Sequence, residues 1–278
     1  MKTLFDNISV ECSKLVTKTY STSFSAGIRF LHKDLRNPVY NIYGFVRFAD
    51  EIVDSFHDFD KKELLDKFSD DTFEAIEKKI SLNPILNSFQ DTVRKYEIPN
   101  ELIEQFLSSM RMDLNRVSYD SDELNDYILG SAEVVGLMCL KIFTYEDKSL
   151  YEKLKPFAMK LGSAFQKINF LRDLKTDYNE LSRSYFPNFN PDNFSDDDKR
   201  KIESDIENEL ITALEGIGKL PVSSRKGVYL AYLYYLKLFK KIKRLPAKEI
   251  MKRRIRISNG VKAGLVINLF ARKLAGEV

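Results

Sequence analysis

The 278-residue chain has no tryptophan, only two histidines and two cysteines, and no apolar run long enough to cross a bilayer. Cys12 and Cys139 lie far apart in segments of apolar helical periodicity, so we expect buried free thiols rather than a disulfide. We expect His32 and His57 at the surface and assign neither a role. The N-terminus lacks the hydrophobic core of a signal peptide. These absences predict a cytoplasmic protein whose membrane contact would be peripheral.

The chain also lacks linkers, repeats and the alternating pattern of a half-buried strand. Helical periodicity runs nearly throughout, and 44% of the residues are hydrophobic, which is enough for a sizeable core. We therefore predict an all-α protein with a single domain over residues 1–278. A polar break is expected at residues 20–24. The expected helices cover residues 1–19, 37–56, 62–79, 83–95, 100–115, 122–143, 152–178, 196–219, 225–244 and 247–274.

Neither sign of charge dominates the whole chain. The 44 basic and 41 acidic side chains give a formal charge of +3, which argues against wholesale nucleic-acid binding. The exception is residues 237–262, where eleven basic residues are opposed only by Glu249. This segment is interpreted either as a solvated helical face or as a docking surface for an anionic membrane. The sequence leaves both interpretations open.

Two Asp-x-x-x-Asp motifs, Asp50–Asp54 and Asp173–Asp177, lie in long helical patterns more than a hundred residues apart. Aspartates four residues apart project from the same face of a helix. Two carboxylates held together repel each other unless a cation joins them. Carboxylate oxygens suit Mg²⁺, which often shares its remaining coordination sites with substrate phosphates. Two such helices facing each other would form a site for a metal–diphosphate cluster.

Each motif belongs to a longer polar stripe with helical spacing. A solvated helical face is the alternative interpretation. The stripes, however, combine tyrosine, glutamine and asparagine with like-charged acids, rather than the alternating Glu–Lys pairs typical of exposed helices. We therefore favour a shared interior cavity, where buried like charges would have raised pKa values unless a cation neutralised them. The first stripe is Tyr43, Arg47, Asp50 and Asp54; the second is Gln166, Asn169, Asp173 and Asp177, flanked by Arg172.

At this point the chain resembles the squalene/phytoene synthase family, over nearly its whole length and in the family's order. The second aspartate-rich motif is the most specific match and the C-terminal basic element is the loosest. The segments that carry the resemblance are residues 20–24 (YSTSF), 43–54 (YGFVRFADEIVD), 130–136 (GSAEVVG), 166–177 (QKINFLRDLKTD) continuing to 183–187 (RSYFP), and 254–258 (RIRIS) with Lys262.

The resemblance implies an isoprenoid-synthase-type helical bundle with a central cavity. It also implies head-to-head condensation of two allylic prenyl diphosphates, with Mg²⁺ as cofactor and Mn²⁺ as a substitute. The implied metal ligands are Asp50, Asp54, Asn169, Asp173 and Asp177. Contacts to diphosphate oxygens are implied for Arg47, Arg172, Arg254, Ser21 and Ser23, an ordering role for Gln166, and positions near the reacting carbons for Phe24 and Tyr43.

Two departures from the family pattern occur in the central segment. Leu129 stands where the family commonly has an aromatic residue, with Tyr127 two positions earlier, and Glu133 replaces a usual glycine. These changes leave the metal motifs intact but affect the expected hydrocarbon channel. The small residues of this segment, and those at 162–164, are expected either to wall a tunnel or to pack helices closely.

The principal expectation is conversion of two geranylgeranyl diphosphates to phytoene through a cyclopropylcarbinyl diphosphate, in carotenoid biosynthesis. The lack of a C-terminal membrane anchor, unlike the eukaryotic squalene synthases, favours the bacterial type. The alternative is squalene or dehydrosqualene synthesis from farnesyl diphosphate, with NADPH needed only for squalene. Chain-elongating prenyl transferases fit poorly, because they usually carry Asp-Asp-x-x-Asp in both motifs. A non-catalytic assembly or lipid-binding member is the alternative of another class, and the oligomeric state stays open.

Overall fold

Helices make up nearly all regular structure in the computed structural model, which describes residues 2–115, 118–179, 183–187 and 194–274. No strand longer than a single bridge occurs in these residues, so the all-α prediction is confirmed. The first six helices are α1 (Lys2–Tyr20), α2 (Thr22–Arg29), α3 (Lys33–Ser55), α4 (Lys61–Lys78), α5 (Pro84–Lys95) and α6 (Asn100–Asn115). The others are α7 (Ser121–Ile128), α8 (Val134–Phe143), α9 (Lys148–Asn179), α10 (Asp196–Lys219), α11 (Val222–Lys243), α12 (Ala247–Ile250) and α13 (Asn259–Leu274).

Local capping chemistry explains why several helices begin where the sequence predicts. The Asp60 carboxylate accepts the backbone N–H of Glu63 at 3.0 Å and starts α4. Pro84 occupies the first turn of α5, where its missing N–H costs nothing. Ser195 and Asp198 cap each other's backbone N–H groups at the start of α10. The predicted limits of these helices lie within one residue of the observed ones.

The predicted helix boundaries were wrong between residues 20 and 36. The expected polar break is the start of α2, because the Ser21 hydroxyl accepts the Phe24 N–H at 3.1 Å and acts as an N-cap. Hydroxyl side chains that interrupt helices are also the preferred helix starters, so the same residues have two local outcomes. The third helix begins at Lys33, before the Pro38 that was expected to open it.

The predicted helix 122–143 is divided by a π-helical turn at Leu129–Glu133, between α7 and α8. Here the chain approaches α6 closely: a β-carbon on Gly130 would lie 2.6 Å from the carbonyl oxygen of Gln105 and 2.7 Å from the Ser109 β-carbon. Only glycine fits at this contact. Such turns insert one residue into a helix and often occur at functional sites.

The predicted helix 247–274 is also divided. Residues 251–258 between α12 and α13 are not helical, and the Ile255 N–H donates to the Arg172 carbonyl of α9 at 3.3 Å. Ile255 and Ile257 are buried at 3% and 7% exposure, whereas Arg254 and Arg256 are exposed. This alternation shows that burial against α9 overrides the helical propensity of the segment.

Two clusters of buried side chains form the hydrophobic core. One centres on Phe45 of α3, whose ring stacks on Phe89 at 3.9 Å. The other includes Ile168 of α9 and Leu238 of α11, both fully buried. α3 packs against α1, α5 and α8, while α9 packs against α8, α10 and α11. Side chains from both clusters line one cavity of about 460 Å³.

The sequence also predicted the states of the cysteines and histidines and the lack of a membrane-spanning helix. Cys12 and Cys139 are free, as predicted, but each is only partly buried. Burial raises the pKa of the Cys139 thiol, which faces the cavity, to about 12. His32 and His57 are exposed. Within the described ranges, no helix has the length and apolar character that a bilayer span requires.

Candidate active site

The cavity has a polar end and an apolar remainder. Nine of the thirteen side chains predicted from the sequence line it, and they come from α2 with its N-cap, from α3 and α9, and from the segment after α12. At the polar end Arg254 is still 44% exposed. The nine are Ser21, Phe24, Tyr43, Arg47, Asp50, Gln166, Asn169, Arg172 and Arg254; Ser23, Asp54, Asp173 and Asp177 lie outside the lining.

On α3, the Arg47 guanidinium is held from three sides. It lies 2.5 Å from the Glu51 carboxylate and 3.8 Å from that of Asp50, and it stands over the Tyr20 ring at 4.3 Å. These contacts are the i,i+3 and i,i+4 neighbours that helical spacing provides, completed by a ring from the end of α1. Arg47 is therefore fixed in the cavity wall before any anion arrives.

On α9, Asp173 is enclosed by two guanidinium groups. Arg172 contacts it through Nε at 3.0 Å and Nη2 at 2.5 Å, and Arg254 contacts it through Nε at 2.7 Å. The non-helical segment after α12 brings Arg254 to this position. Two arginines at one carboxylate leave positive charge available to a second anion.

A short hydrogen-bond chain orders the amide side chains of the α9 stripe. The Tyr235 hydroxyl donates to Asn169 Oδ1 at 3.2 Å, and Gln166 Nε2 donates to the Ser131 hydroxyl at 3.2 Å. The Tyr235 ring stacks on Phe165 with 3.8 Å between centroids. Sequence reasoning missed Tyr235; the tyrosine-rich run on α11 is its only local signal.

The carboxylates of the two motifs repel each other across the site. Burial, followed by the charge of Asp54, raises the pKa of Asp50 to about 7. Burial, followed by the charges of Asp173 and Asp54, raises the pKa of Asp177 to about 8. Side chains of both polar stripes line the same cavity, so the two stripes face the same space, as the sequence predicts.

This excess negative charge fits a hard divalent cation. Four carboxylates and the Asn169 amide oxygen supply only oxygen donors, the kind Mg²⁺ prefers. In the described part of the chain, no three Asp, Glu, His or Cys side chains are close enough to surround one ion by themselves. The donor set therefore fits an ion that also keeps waters or takes phosphate oxygens.

Arg183 ties the two motifs together, and sequence reasoning assigned it no role. Its guanidinium donates to Asp54 Oδ1 at 2.9 Å and to the Asp113 carbonyl at 3.1 Å, and lies 3.6 Å from the Asp113 carboxylate. Its own backbone N–H donates to the Asp177 carbonyl at 2.8 Å. Asp113 also accepts the Tyr127 hydroxyl at 2.8 Å. This buried cluster fixes the C-terminal ends of both motifs relative to each other.

We expect Arg183→Met to lower the free energy of unfolding by about 3–5 kcal/mol, because it leaves the buried Asp113 carboxylate without a cation. Arg183→Lys retains a charge and should lose less than half as much. Chemical denaturation measures both, with the exposed Arg200→Met as a control that should change stability by less than about 0.5 kcal/mol. Equal losses for the Met and Lys variants would show that the charge is not the cause.

The residues of the central segment that depart from the family pattern lie in different places. Tyr127 lines the cavity, while its hydroxyl is engaged by Asp113. Leu129 and Glu133 do not line the cavity. The small residues serve both expected purposes: Gly136 and Gly162 line the cavity, and a β-carbon on Gly162 would lie 2.8 Å from the Ala132 carbonyl oxygen.

Known proteins resemble this chain in sequence. Residues 17–194 match the sequence model of the squalene/phytoene synthase family. The phytoene synthase of Mycobacterium tuberculosis is 28% identical over 178 residues, 62% of this chain and 55% of that protein. The phytoene synthase of Arthrospira platensis is 30% identical over 191 residues, which is 64% of this chain and 61% of that protein. The 4,4'-diapophytoene synthase of Staphylococcus haemolyticus is 28% identical over 212 residues, which is 74% of this chain and 70% of that protein. The chain thus spans less than two thirds of the phytoene synthases it matches.

Solved structures resemble most of the chain in fold. A dehydrosqualene synthase in complex with a ligand superimposes with a TM-score of 0.81 and 19% identity, covering 97% of this chain and 98% of that one. The squalene synthase HpnC from Alicyclobacillus acidocaldarius superimposes with a TM-score of 0.73 and 22% identity, covering 85% of this chain and 93% of that one. These likenesses confirm the isoprenoid-synthase-type fold. Because the sequence match extends over well more than half of its residues, the chain belongs to the squalene/phytoene synthase family.

Proposed function

We propose that the protein condenses two allylic prenyl diphosphates head to head, with two geranylgeranyl diphosphates giving phytoene as the principal reaction. One observation carries the proposal: Arg47 and Asp50 of α3 and Asn169 and Arg172 of α9 line the polar end of a cavity whose remainder is largely apolar. A prenyl diphosphate has the same division, a charged head on a long hydrocarbon. The cavity therefore matches the chemistry of both halves of the substrate.

Asp50, Asp54, Asn169, Asp173 and Asp177 would hold Mg²⁺, or Mn²⁺ in its place. Bound there, the ion would neutralise negative charge on the departing diphosphate. Arg47 and Arg172 line the same space and are positioned to bind the diphosphate oxygens. Arg254 adds a third guanidinium at the exposed end.

The remaining cavity protects the carbocation formed when diphosphate leaves. Its apolar walls exclude water, which would otherwise trap the cation as an alcohol. The rings of Phe24 and Tyr43 pack together, with 5.2 Å between their centroids, where the polar end of the cavity meets the apolar part. Burial and the Asp50 charge raise the pKa of Tyr43 to about 12, so its phenol stays neutral and its π face is available to positive charge.

The relatives support phytoene as the product, because two of those compared are phytoene synthases. The 4,4'-diapophytoene synthase of Staphylococcus haemolyticus supports the runner-up, a reaction of farnesyl diphosphate. NADPH would be needed only if the product were squalene. A non-catalytic role would not explain why every predicted metal ligand and arginine is retained.

The deciding experiment incubates purified protein with Mg²⁺ and geranylgeranyl diphosphate, with and without NADPH, beside farnesyl diphosphate. Chromatography of the hydrocarbon extract identifies the product. A forty-carbon hydrocarbon formed without NADPH supports phytoene synthesis. A thirty-carbon product keeps the mechanism and changes the substrate. No hydrocarbon from either substrate would overturn the enzymatic proposal.

The C-terminal surface supports a peripheral contact with anionic lipid. Arg253 and Arg256 are exposed, and Ile267 on α13 is 67% exposed close by in the chain. Lys262 of the same helix donates to the Thr22 hydroxyl at 2.8 Å, next to the Ser21 that lines the cavity. A bilayer at this surface would receive a water-insoluble product near the polar end of the site.

We expect Arg253→Glu/Arg256→Glu to reduce binding to phosphatidylglycerol vesicles at least tenfold, since each basic residue near an anionic leaflet contributes about 1 kcal/mol. Co-sedimentation measures the bound fraction. The same charge change on α4, Lys62→Glu/Lys67→Glu, is the control and should have a smaller effect. Equal effects of both pairs would mean that net charge alone governs binding.

A further inference from the structure

One stripe of α9 runs along the whole cavity. It passes from Arg172 and Asn169 at the polar end through Leu161 to Phe157 and Leu154. Residues on one helical face three or four positions apart form such a continuous line. Arg172 and Leu154 are separated by about 27 Å along the helix axis, at 1.5 Å per residue. The position of a residue on this stripe of α9 therefore gives its distance from the diphosphate-binding end of the cavity.

Large apolar side chains line the far end of this stripe. Leu154 is 2% exposed and Leu220, at the end of α10, is 6% exposed. Phe143 from the end of α8 lines the same cavity. A hydrocarbon entering from the polar end would meet Phe157 and these neighbours as a floor.

Phe157 is firmly held at this floor. Its β-carbon lies so near Gly216 of α10 that a β-carbon added to that glycine would be only 2.2 Å away. On the ring itself, Lys219 Nζ lies 4.4 Å from the centroid. The ring therefore has no room to retreat towards α10 when a longer chain presses on it, and overpacking such a contact is unfavourable.

From this geometry we infer that Phe157 determines the length of the prenyl chain that the cavity accepts. The inference rests on the proposed function, because it assumes that prenyl diphosphates bind with the head group at Arg172. A chain one isoprene unit longer than the twenty-carbon substrate needs the volume that the Phe157 ring occupies. A larger side chain at Leu161, one turn nearer the polar end, must exclude the last isoprene unit of the twenty-carbon chain itself.

The test compares Phe157→Ala and Leu161→Phe with the wild type in competition assays with fifteen-, twenty- and twenty-five-carbon diphosphates. We expect Phe157→Ala to raise kcat/KM for the twenty-five-carbon diphosphate relative to the twenty-carbon one at least tenfold. Leu161→Phe should lower kcat/KM for the twenty-carbon diphosphate relative to the fifteen-carbon one at least tenfold. One methylene in an apolar pocket already discriminates about tenfold or more. Met159→Ala is the matched control, because Met159 lies on α9 outside the cavity lining; this variant should leave both kcat/KM ratios unchanged.

The outcomes separate this inference from the proposed function. An active wild type with ratios unchanged within threefold in both cavity variants overturns the inference alone. If the wild type forms no hydrocarbon, the proposed reaction fails, and thermal-shift titration with the three diphosphates still tests the length preference. A Phe157→Ala protein that does not fold is replaced by Phe157→Leu, for which a smaller shift in the same direction is expected. An equal shift in Met159→Ala also counts against the inference.

Discussion

Replacing Asp50 with asparagine is expected to abolish turnover while leaving the protein at least as stable as the wild type. The ionised carboxylate is disfavoured where it stands, since burial and Asp54 raise its pKa to about 7. Removing the charge relieves that repulsion and also removes an expected metal ligand. Loss of such electrostatic stabilisation lowers kcat by about a thousandfold or more. Steady-state assays and melting temperatures at pH 8 measure the two effects.

Asp173→Asn provides the contrast. It should lose turnover to a similar extent, but it should also lower stability, because Arg172 and Arg254 would lose the carboxylate they enclose. Asp58→Asn, an exposed change just beyond α3, is the control for both properties. Full activity in Asp50→Asn would contradict the metal-ligand assignment, and a large loss of its stability would contradict the repulsion argument.

Removal of divalent metal is expected to stop turnover and to make stability strongly dependent on pH. The pKa values of Asp50 and Asp177 are raised to about 7 and about 8, from 3.8. The folded protein therefore binds these protons more tightly than the unfolded chain does. Stability from this source is complete below about pH 4 and is lost as the pH rises towards 8. Carboxylates with lowered pKa values, such as Asp66 and Glu97, lose their contribution only at more acidic pH.

Mg²⁺ should reverse this loss, because it binds the ionised carboxylates. At a concentration a hundredfold above its dissociation constant it adds about 2.7 kcal/mol, or a rise in melting temperature of about 5 °C. We expect that rise at pH 8.5 and little effect at pH 5.5. Scanning fluorimetry with EDTA or Mg²⁺ across this range measures it. A shift that is the same at both pH values, or is retained in an Asp50→Asn/Asp177→Asn protein, would contradict the assignment.

Local sequence patterns were sufficient for most of the fold. Periodicity and capping residues predicted helices such as α4, α5, α6 and α10 nearly to the residue, because these signals act within a few positions of each other. The errors occurred where distant contacts act. Burial of Ile255 and Ile257 against α9 breaks the expected last helix, and the approach of α6 to Gly130 accompanies the π-helical turn.

For the site, the sequence by itself determined the two aspartate motifs, their polar stripes and the prediction that these stripes face each other. Helical spacing explains this, since residues three and four apart must share a face. Only the tertiary structure decided which distant groups join them: Arg183 between Asp54 and Asp113, and Tyr235 on Asn169. It also decided that Phe157 packs closely against Gly216 in the cavity wall. Such partners lie tens of residues apart and meet only when helices pack, so no local pattern encodes them.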